Sequence, residues 1–195
     1  MKINKVLFEK SSSSIDNYPK NGFFEIAFIG RSNVGKSSIL NMLLNRKGIA
    51  KVSKKPGKTK LINFFSVNEK IYFVDLPGYG YSKLSKKNKL KISSITETYF
   101  KHRESLKEIF LLIDIRHEIQ IADLEFINFL KSIKRDFTIV FTKKDKIKDS
   151  LVKISCDDFL KSITNIYKPN KYFVSSSKSK YGREEILDYI GNMIS

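Results

Sequence analysis

Apolar and polar positions alternate along this chain with two different periods. Short segments that are apolar throughout recur between longer segments whose apolar residues are three or four positions apart. The first pattern is typical of strands buried on both faces, and the second is typical of amphipathic helices. We predict strands at 23–29, 61–67, 70–74, 109–113, 137–141 and 172–174. We predict helices at 38–45, 86–103, 123–133, 150–166 and 183–193.

This order of elements favours an α/β fold with three layers. Strands alternate with helices through the second half, which predicts a mostly parallel six-stranded sheet with helices on both faces. The strands at 61–67 and 70–74 flank Asn68 and Glu69, so we expect a hairpin that supplies one antiparallel edge strand. Residues 23–195 then form a single domain. Residues 1–22 contain loop-like serine and proline segments, which predict a peripheral extension.

The stretch Gly30–Ser37 is the most specific chemical signal in the chain. It has the pattern G-x-x-x-x-G-K-S, in which the glycines let backbone N–H groups turn towards phosphate oxygens. It follows a predicted strand and opens a predicted helix, whose N-terminus attracts anions. Lys36 can reach the β- and γ-phosphates, and the Ser37 hydroxyl can ligate Mg²⁺. The segment therefore predicts a phosphate-binding loop.

Two further motifs directly follow predicted strands, where open α/β sheets bind their ligands. In Asp75–Gly78, we expect Asp75 to hold Mg²⁺ through its water shell and Gly78 to offer its N–H to the γ-phosphate. The second motif is Thr142–Asp145. A carboxylate only accepts hydrogen bonds, so Asp145 can accept from N1–H and the amino group of guanine, whereas adenine has an acceptor at N1. This chemistry favours GTP over ATP.

Three weaker signals complete the expected nucleotide site. Ser175–Lys178 follows the last strand, and its backbone and hydroxyls can contact the guanine O6 edge, although a plain polar loop also explains it. The stem of Lys143 can lie over the base. Thr59 lies in the loop-like segment 56–60 and can complete Mg²⁺ coordination when a γ-phosphate is present, or it is an ordinary loop hydroxyl.

The net charge of +17 on 195 residues points to a polyanionic partner, nucleic acid first and an anionic membrane second. Most of the 37 basic residues are lysine, which a general compositional bias would also produce, and lysine favours contact with a phosphate backbone over base readout. Cys156 is the single cysteine, so no intramolecular disulfide forms. The apolar segments are too short for stable membrane insertion. We expect a cytoplasmic monomer.

Together these motifs resemble the EngB (YihA-type) family of bacterial ribosome-assembly GTPases. The resemblance is carried by Gly30–Ser38, Pro56–Thr59, Phe73–Tyr81, Asp114–His117 and Thr142–Lys146. It covers nearly the whole chain and implies a single P-loop GTPase domain. It further implies slow GTP hydrolysis as a conformational switch, a role in large ribosomal subunit assembly through contact with the rRNA backbone, and a link to normal cell division and septation.

The motifs and the resemblance together define the expected GTP/GDP site. The residues expected to bind the nucleotide are Gly30, Arg31, Ser32, Asn33, Val34, Gly35, Lys36, Ser37, Ser38, Gly57, Lys58, Thr59, Lys60, Leu61, Asp75, Leu76, Pro77, Gly78, Thr142, Lys143, Lys144, Asp145, Val174, Ser175 and Ser176. The expected catalytic residues are Lys36, Thr59 and Gly78, and the expected Mg²⁺ ligands are Ser37, Thr59 and, through water, Asp75.

Several alternatives stay open. Tyr79 stands where many GTPases place a glutamine that orients the attacking water, so we predict slow hydrolysis that a partner or a monovalent cation would accelerate. Asn33 can ligate K⁺, as in potassium-dependent relatives, or can stabilise its own loop. The lysine-rich loops at 46–61 and 78–91 can bind RNA or be solvated faces. The alternative functions are a GTP-binding recruitment module for a protein or anionic membrane, with little catalysis, and an ATP-using enzyme.

Overall fold

The computed structural model describes residues 1–50, 61–80, 85–169 and 171–194. A seven-stranded sheet has the spatial order β1-β3-β4-β2-β5-β6-β7. The strands are β1 (Val6–Ser12), β2 (Phe24–Gly30), β3 (Ile62–Val67), β4 (Ile71–Asp75), β5 (Leu106–Asp114), β6 (Thr138–Thr142) and β7 (Tyr172–Val174). The helices are α1 (Lys36–Leu43), α2 (Lys86–His102), α3 (Ile121–Ser132), α4 (Asp149–Ile163) and α5 (Arg183–Ile194).

The sheet separates two apolar cores because neighbouring residues of each strand point to opposite faces. In β2, Ala27 and Ile29 join the core beneath α2, α3 and α4. Ile26 and Phe28 join the core beneath α1 and α5. All four side chains are fully buried. Burial on both faces explains why the strand is apolar throughout, and it confirms the predicted three-layer α/β fold.

The sheet has one more strand than the sequence pattern predicted. The segment 1–22, predicted as a peripheral extension, contains β1, which pairs antiparallel with β3 from Val6↔Val67 to Ser12↔Ile62. The antiparallel strand β3 is therefore covered by β1 and is not the edge. Most side chains of β1 are exposed, so the strand lacks the alternation by which a half-buried strand is found in a sequence. Backbone pairing with β3, including an irregularity between Phe8 and Lys10, holds it in place.

The parallel strands bring their carboxyl ends to one edge of the sheet. β2 pairs in parallel with both β4 and β5, and β6 pairs in parallel with β5 and β7. The motifs that follow β2, β4, β6 and β7 are therefore neighbours in space. None of the helices in the described ranges is long and apolar enough to cross a membrane.

Candidate functional site

The predicted phosphate-binding loop connects β2 to α1, and its glycines meet specific steric demands. A Cβ on Gly30 would lie 2.6 Å from the carbonyl oxygen of Leu112 and 2.9 Å from Cγ1 of Val34. Gly35 has φ +104°, a conformation that L side chains rarely adopt, and it caps the start of α1. Lys36 is the first residue of that helix. The backbone therefore curls tightly into a helix N-terminus, which suits a bound phosphate.

Thr142, the last residue of β6, and Lys143 after it hold this loop from two strands away, across β5. The Thr142 hydroxyl lies 2.7 Å from the carbonyl oxygen of Val34 and 3.2 Å from that of Ile113. The Lys143 ammonium donates to the carbonyl oxygen of Asn33 at 2.7 Å. Thr142 is 1% exposed and Val34 is 4% exposed, so the hydroxyl supplies a donor to the buried carbonyl group of Val34 at the shorter of the two distances. The phosphate-binding loop is thus held in place by the first two residues of the Thr142–Asp145 motif.

Asp114, at the end of β5, positions Lys143 in turn. Its carboxylate lies 2.8 Å from the Lys143 ammonium and accepts hydrogen bonds of 2.9 and 2.8 Å from the Arg116 guanidinium. Burial raises the pKa of Asp114, but the hydrogen bonds from Arg116 and Lys143 outweigh it and lower the pKa to about 2. The carboxylate is therefore ionised at neutral pH, and it orients a cation towards the phosphate-binding loop.

A buried ion pair joins the phosphate-binding loop to the motif after β4. The Lys36 ammonium contacts the Asp75 carboxylate, which is 2% exposed. The side-chain amide of Asn63, opposite Asp75 in the β3–β4 pair, donates to the other carboxylate oxygen at 3.3 Å. Ser37 directly follows Lys36 on α1. The lysine, the serine hydroxyl and the carboxylate therefore share one edge of the sheet, as a site for Mg²⁺ and phosphate requires.

The loop after Asp75 runs alongside the phosphate-binding loop. The N–H of Tyr79 donates to the carbonyl oxygen of Gly30 at 3.2 Å, and the N–H of Ser32 donates to the carbonyl oxygen of Tyr79 at 3.1 Å. Gly78 lies immediately before this two-bond bridge. The Tyr79 side chain turns to α3, where its hydroxyl donates to Asp123 at 2.9 Å. The phenol is thus committed to a carboxylate rather than available to orient a water molecule.

The two motifs predicted to recognise guanine meet at the far end of the site. The Ser176 hydroxyl donates to Asp145 at 2.7 Å, and this hydrogen bond, with Lys146 nearby, lowers the pKa of Asp145. The N–H of Lys144 donates to the carbonyl oxygen of Ser175 at 3.1 Å, which joins the two loops through the backbone. Asp145 is therefore held as an ionised acceptor.

The hydroxyls of the last loop bind neighbouring residues of the protein, and the contact of this loop with the guanine O6 edge stays a prediction. The Ser175 hydroxyl donates to the carbonyl oxygen of Tyr181 at 3.0 Å, and the Ser176 hydroxyl is taken by Asp145. They shape the loop and orient the carboxylate. Gly182 closes the turn with φ +75°, and a Cβ there would overlap the carbonyl oxygen of Val174. Sequence reasoning missed this glycine because its constraint comes from a residue eight positions earlier.

The structure brings most of the predicted site residues to this one edge. The described residues gathered there are Gly30–Ser38, Asp75–Gly78, Thr142–Asp145 and Val174–Ser176. Leu61 precedes β3, two positions before Asn63, and is 40% exposed. Gly57, Lys58, Thr59 and Lys60 lie outside the described residues.

Sequence reasoning missed Asp123, which a signal in the chain could have indicated. Asp123 is the third residue of α3 and accepts a hydrogen bond from the N–H of Gln120, an arrangement typical of acidic residues in a first helical turn. Its contact with Tyr79 spans 44 positions, which local pattern does not reveal.

The described residues contain no group of three or more His, Cys, Asp or Glu side chains that could hold a metal ion. The oxygen donors at this edge are of another kind, a serine hydroxyl at the start of α1 and the Asp75 carboxylate. Such donors suit Mg²⁺, which keeps several waters and takes further ligands from a bound phosphate. The site therefore fits Mg²⁺ that enters with its nucleotide.

Known proteins resemble this chain over nearly its full length. A family model described as 50S ribosome-binding GTPase matches residues 25–143. A probable GTP-binding protein EngB from Bacteroides thetaiotaomicron is 46% identical over 194 residues, which cover 99% of this chain and 96% of that protein. A protein of the same description from Flavobacterium psychrophilum is 47% identical, with 97% of this chain and 94% of that protein covered.

Solved structures agree with this likeness. The crystal structure of a probable GTP-binding protein engB superimposes with a TM-score of 0.69 at 25% identity, covering 87% of this chain and 98% of that one. A variant of Era from Aquifex aeolicus bound to GDP·AlF4⁻ superimposes with a TM-score of 0.70 at 26% identity, covering 88% of this chain and 56% of that one. The resemblance drawn from the motifs is confirmed: the chain belongs to the EngB family of GTP-binding proteins, which are P-loop GTPases.

Proposed function

We propose that this protein is a GTP-dependent switch that hydrolyses GTP slowly and acts in the assembly of the large ribosomal subunit. The arrangement of the site supports the binding of GTP. A phosphate-binding loop at one end and an ionised Asp145, oriented by Ser176, at the other provide for the two ends of a guanine nucleotide. The carboxylate can accept hydrogen bonds from N1–H and the amino group of guanine, whereas adenine N1 carries a lone pair and no hydrogen to donate.

Phosphate binding rests on groups that the fold already holds in place. Lys36 would exchange Asp75 for phosphate oxygens, which its position at the start of α1 supports. Ser37 and, with a triphosphate, Thr59 would hold Mg²⁺, while Asp75 would hold a water of that ion. Mg²⁺ would neutralise charge on the β- and γ-phosphates. The N–H of Gly78 would donate to the γ-phosphate, a contact that GDP cannot make.

Slow hydrolysis follows from the role of Tyr79. Its hydroxyl is hydrogen-bonded to Asp123, so the residue after Gly78 does not orient the attacking water. A monovalent cation is one source of acceleration. Asn33, with φ +67° and its carbonyl oxygen bound by Lys143, is exposed on the phosphate-binding loop, where its side chain can ligate K⁺. Equal hydrolysis rates in K⁺ and Na⁺ buffers of the same ionic strength would contradict this part of the proposal.

The proposed ribosomal partner is supported by the description of the matching family and by charge. Lysines at positions 86, 87, 89 and 91 are exposed on the first turns of α2, which begins eight positions after Gly78. Because Gly78 and α2 are so close along the chain, a γ-phosphate contact at Gly78 would change the position of these cations. Lysine ammonium groups bind phosphate as point charges, which suits contact with the rRNA backbone. We place this function in the cytoplasm and regard an effect on septation as indirect.

Guanine specificity is tested by competition. Fluorescent GDP is displaced by GTP, GDP and ATP on the wild type and on Asp145→Asn. We expect guanine nucleotides to compete, ATP not to compete, and the variant to lose guanine binding, because its amide presents a donor where the carboxylate accepts. Asp149→Asn is the matched control, since Asp149 is a neighbouring carboxylate that pairs with Lys144 at 2.8 Å and is 85% exposed. Equal competition by ATP would overturn the assignment of Asp145.

Ribosome binding is tested by co-sedimentation with large subunits and their precursors, in GDP and in a non-hydrolysable GTP analogue. Replacing Lys86, Lys87, Lys89 and Lys91 by Gln should weaken binding and reduce its salt dependence. The control replaces Lys148, Lys153, Lys161 and Lys168, which are exposed on and around α4, so that the loss of net charge is the same. Equal losses in the two variants would attribute binding to net charge alone. If the protein neither co-sediments with the particles nor hydrolyses GTP faster in their presence, the alternative recruitment module is favoured.

A further inference from the structure

One buried carboxylate connects three separate parts of the molecule. Asp123, the third residue of α3, is 2% exposed. It accepts a hydrogen bond from the Tyr79 hydroxyl at 2.9 Å and from the N–H of Gln120 at 3.1 Å. The Arg31 guanidinium pairs with it at 3.4 Å. Since two of these partners come from the edges of the nucleotide site, the contact joins that site to α3.

The two partners from the site are also neighbours of each other. Arg31 is the second residue of the phosphate-binding loop, and Tyr79 directly follows Gly78. Their backbones form a parallel bridge. The stem of Arg31 also packs beside Gly80, where a Cβ would lie 3.6 Å from its Cδ. The carboxylate of Asp123 therefore holds the side chains of Arg31 and Tyr79, whose backbones are already joined by the hydrogen bonds of the bridge.

Helix α3 is a firm support for this pair. The Tyr79 ring stacks on Phe126, with ring centroids 4.6 Å apart and an interplanar angle of 12°. Phe126 and Ile127 belong to the core beneath the sheet. Burial raises the pKa of Tyr79 well above its usual range, and Asp123 beside it raises it further, so the phenol is the donor in this hydrogen bond. The side chain of Tyr79 is thereby held at both its face and its hydroxyl.

We propose that Asp123 is a positioning residue that raises the affinity of this protein for GTP relative to its affinity for GDP, an inference that rests on the proposed function. Among the proposed phosphate contacts, those of the phosphate-binding loop serve both nucleotides, whereas the N–H of Gly78 would serve GTP alone. Gly78 is adjacent to the residue that Asp123 holds. If Gly78 is already ordered before the γ-phosphate binds, less conformational entropy is lost on binding. Only GTP gains from this, because GDP has no γ-phosphate.

The test removes one atom. In Tyr79→Phe the stacked ring stays and the hydrogen bond to Asp123 is lost. Affinity for a non-hydrolysable GTP analogue should fall roughly five- to tenfold, while affinity for GDP stays within about twofold. Asp123→Asn is the second variant. Its amide oxygen can still accept from Tyr79, but its neutral amide no longer attracts Arg31, and its NH2 group no longer accepts from the N–H of Gln120. This variant should also lower the ratio of GTP-analogue to GDP affinity, by a smaller factor.

The matched control is Tyr167→Phe. The Tyr167 ring also stacks on a phenylalanine, Phe137, at 4.1 Å and 22°, and its hydroxyl accepts from the N–H of Phe137 at 3.2 Å. It lies after α4, away from the nucleotide site, and its removal should leave the affinity ratio unchanged. A similar loss for both nucleotides in Tyr79→Phe would show a merely structural role and overturn the inference. An unchanged ratio or a higher affinity for the GTP analogue would overturn it too. A wild type that binds neither guanine nucleotide would overturn the proposed function and the inference with it.

Discussion

Replacement of Thr142 by valine tests whether the phosphate-binding loop is held from β6. The two side chains have nearly the same shape, so the change removes a hydroxyl and adds a methyl group in its place. Thr142 is 1% exposed, and its hydroxyl is 2.7 Å from the carbonyl oxygen of Val34. Without that donor the carbonyl of Val34 is left unsatisfied in a buried position.

The expected cost follows from the burial of that carbonyl. An unsatisfied buried acceptor destabilises a folded protein by about 1–3 kcal/mol. For a domain of this size, about 1 kcal/mol corresponds to about 2–4 °C in the unfolding midpoint. We therefore expect Thr142→Val to lower the midpoint by about 2–12 °C. The lost hydrogen bond also holds the phosphate-binding loop, so affinities for GDP and a GTP analogue should fall together, by roughly five- to tenfold.

Thermal unfolding followed by circular dichroism and titration with fluorescent nucleotides measure these two effects. Thr142→Ser is the control, because it keeps the hydroxyl and removes one methyl group, which is expected to cost about 0.8 kcal/mol. A midpoint for Thr142→Val within about 1 °C of the wild type would refute the reasoning. So would a serine variant as unstable as the valine variant, since the methyl group would then explain the loss.

Two further predictions concern the surroundings of the site. Gly182→Ala should destabilise the protein and weaken guanine binding more than Gly22→Ala does. Both glycines have φ near +75°, but only at Gly182 would a Cβ overlap another atom, the carbonyl oxygen of Val174. Equal unfolding midpoints of the two variants in urea would contradict this. Asp114→Asn should remove about 1–2 kcal/mol of stability at neutral pH, after allowance for the partly exposed Arg116. Because its folded pKa is about 2 and its ordinary value 3.8, that contribution is present above about pH 4 and is lost as the pH falls towards 2, so wild type and variant should converge in acid unfolding.

The strands and the phosphate-binding loop could be predicted because their signals are local. β6 reads as a strand since it is buried on both faces, and Gly30 and Lys36 stand at fixed spacing in a known pattern. β1 could not be predicted, because its side chains are mostly exposed and its order comes from backbone bonds to β3. Edge strands of this kind have pairing partners but no apolar pattern of their own.

The bracing of the site was equally hidden from the sequence. The hydrogen bond from Thr142 to Val34 joins residues 108 positions apart, and that from Lys143 to Asn33 joins residues 110 apart. The stem of Lys143 is predicted to lie over the guanine base, and its ammonium group binds the phosphate-binding loop and pairs with Asp114, two contacts that the motif alone does not reveal. Such bonds depend on which strands become neighbours, a property of the whole sheet rather than of any motif.

These contacts divide the site into a part that is the same for both nucleotides and a part that distinguishes them. Thr142 and Lys143 act on the phosphate-binding loop, which GDP and GTP both occupy, so weakening them lowers both affinities and leaves their ratio intact. Asp123 binds the hydroxyl of Tyr79, the residue after Gly78, whose N–H only GTP would use in the proposed switch. A ligand shifts a conformational equilibrium only by its difference in affinity for the two states. In the proposed switch the difference between the two nucleotides therefore lies in the contacts around Gly78, and we expect variants at Thr142 and Tyr79 to differ in the ratio of nucleotide affinities even where their stabilities are equal.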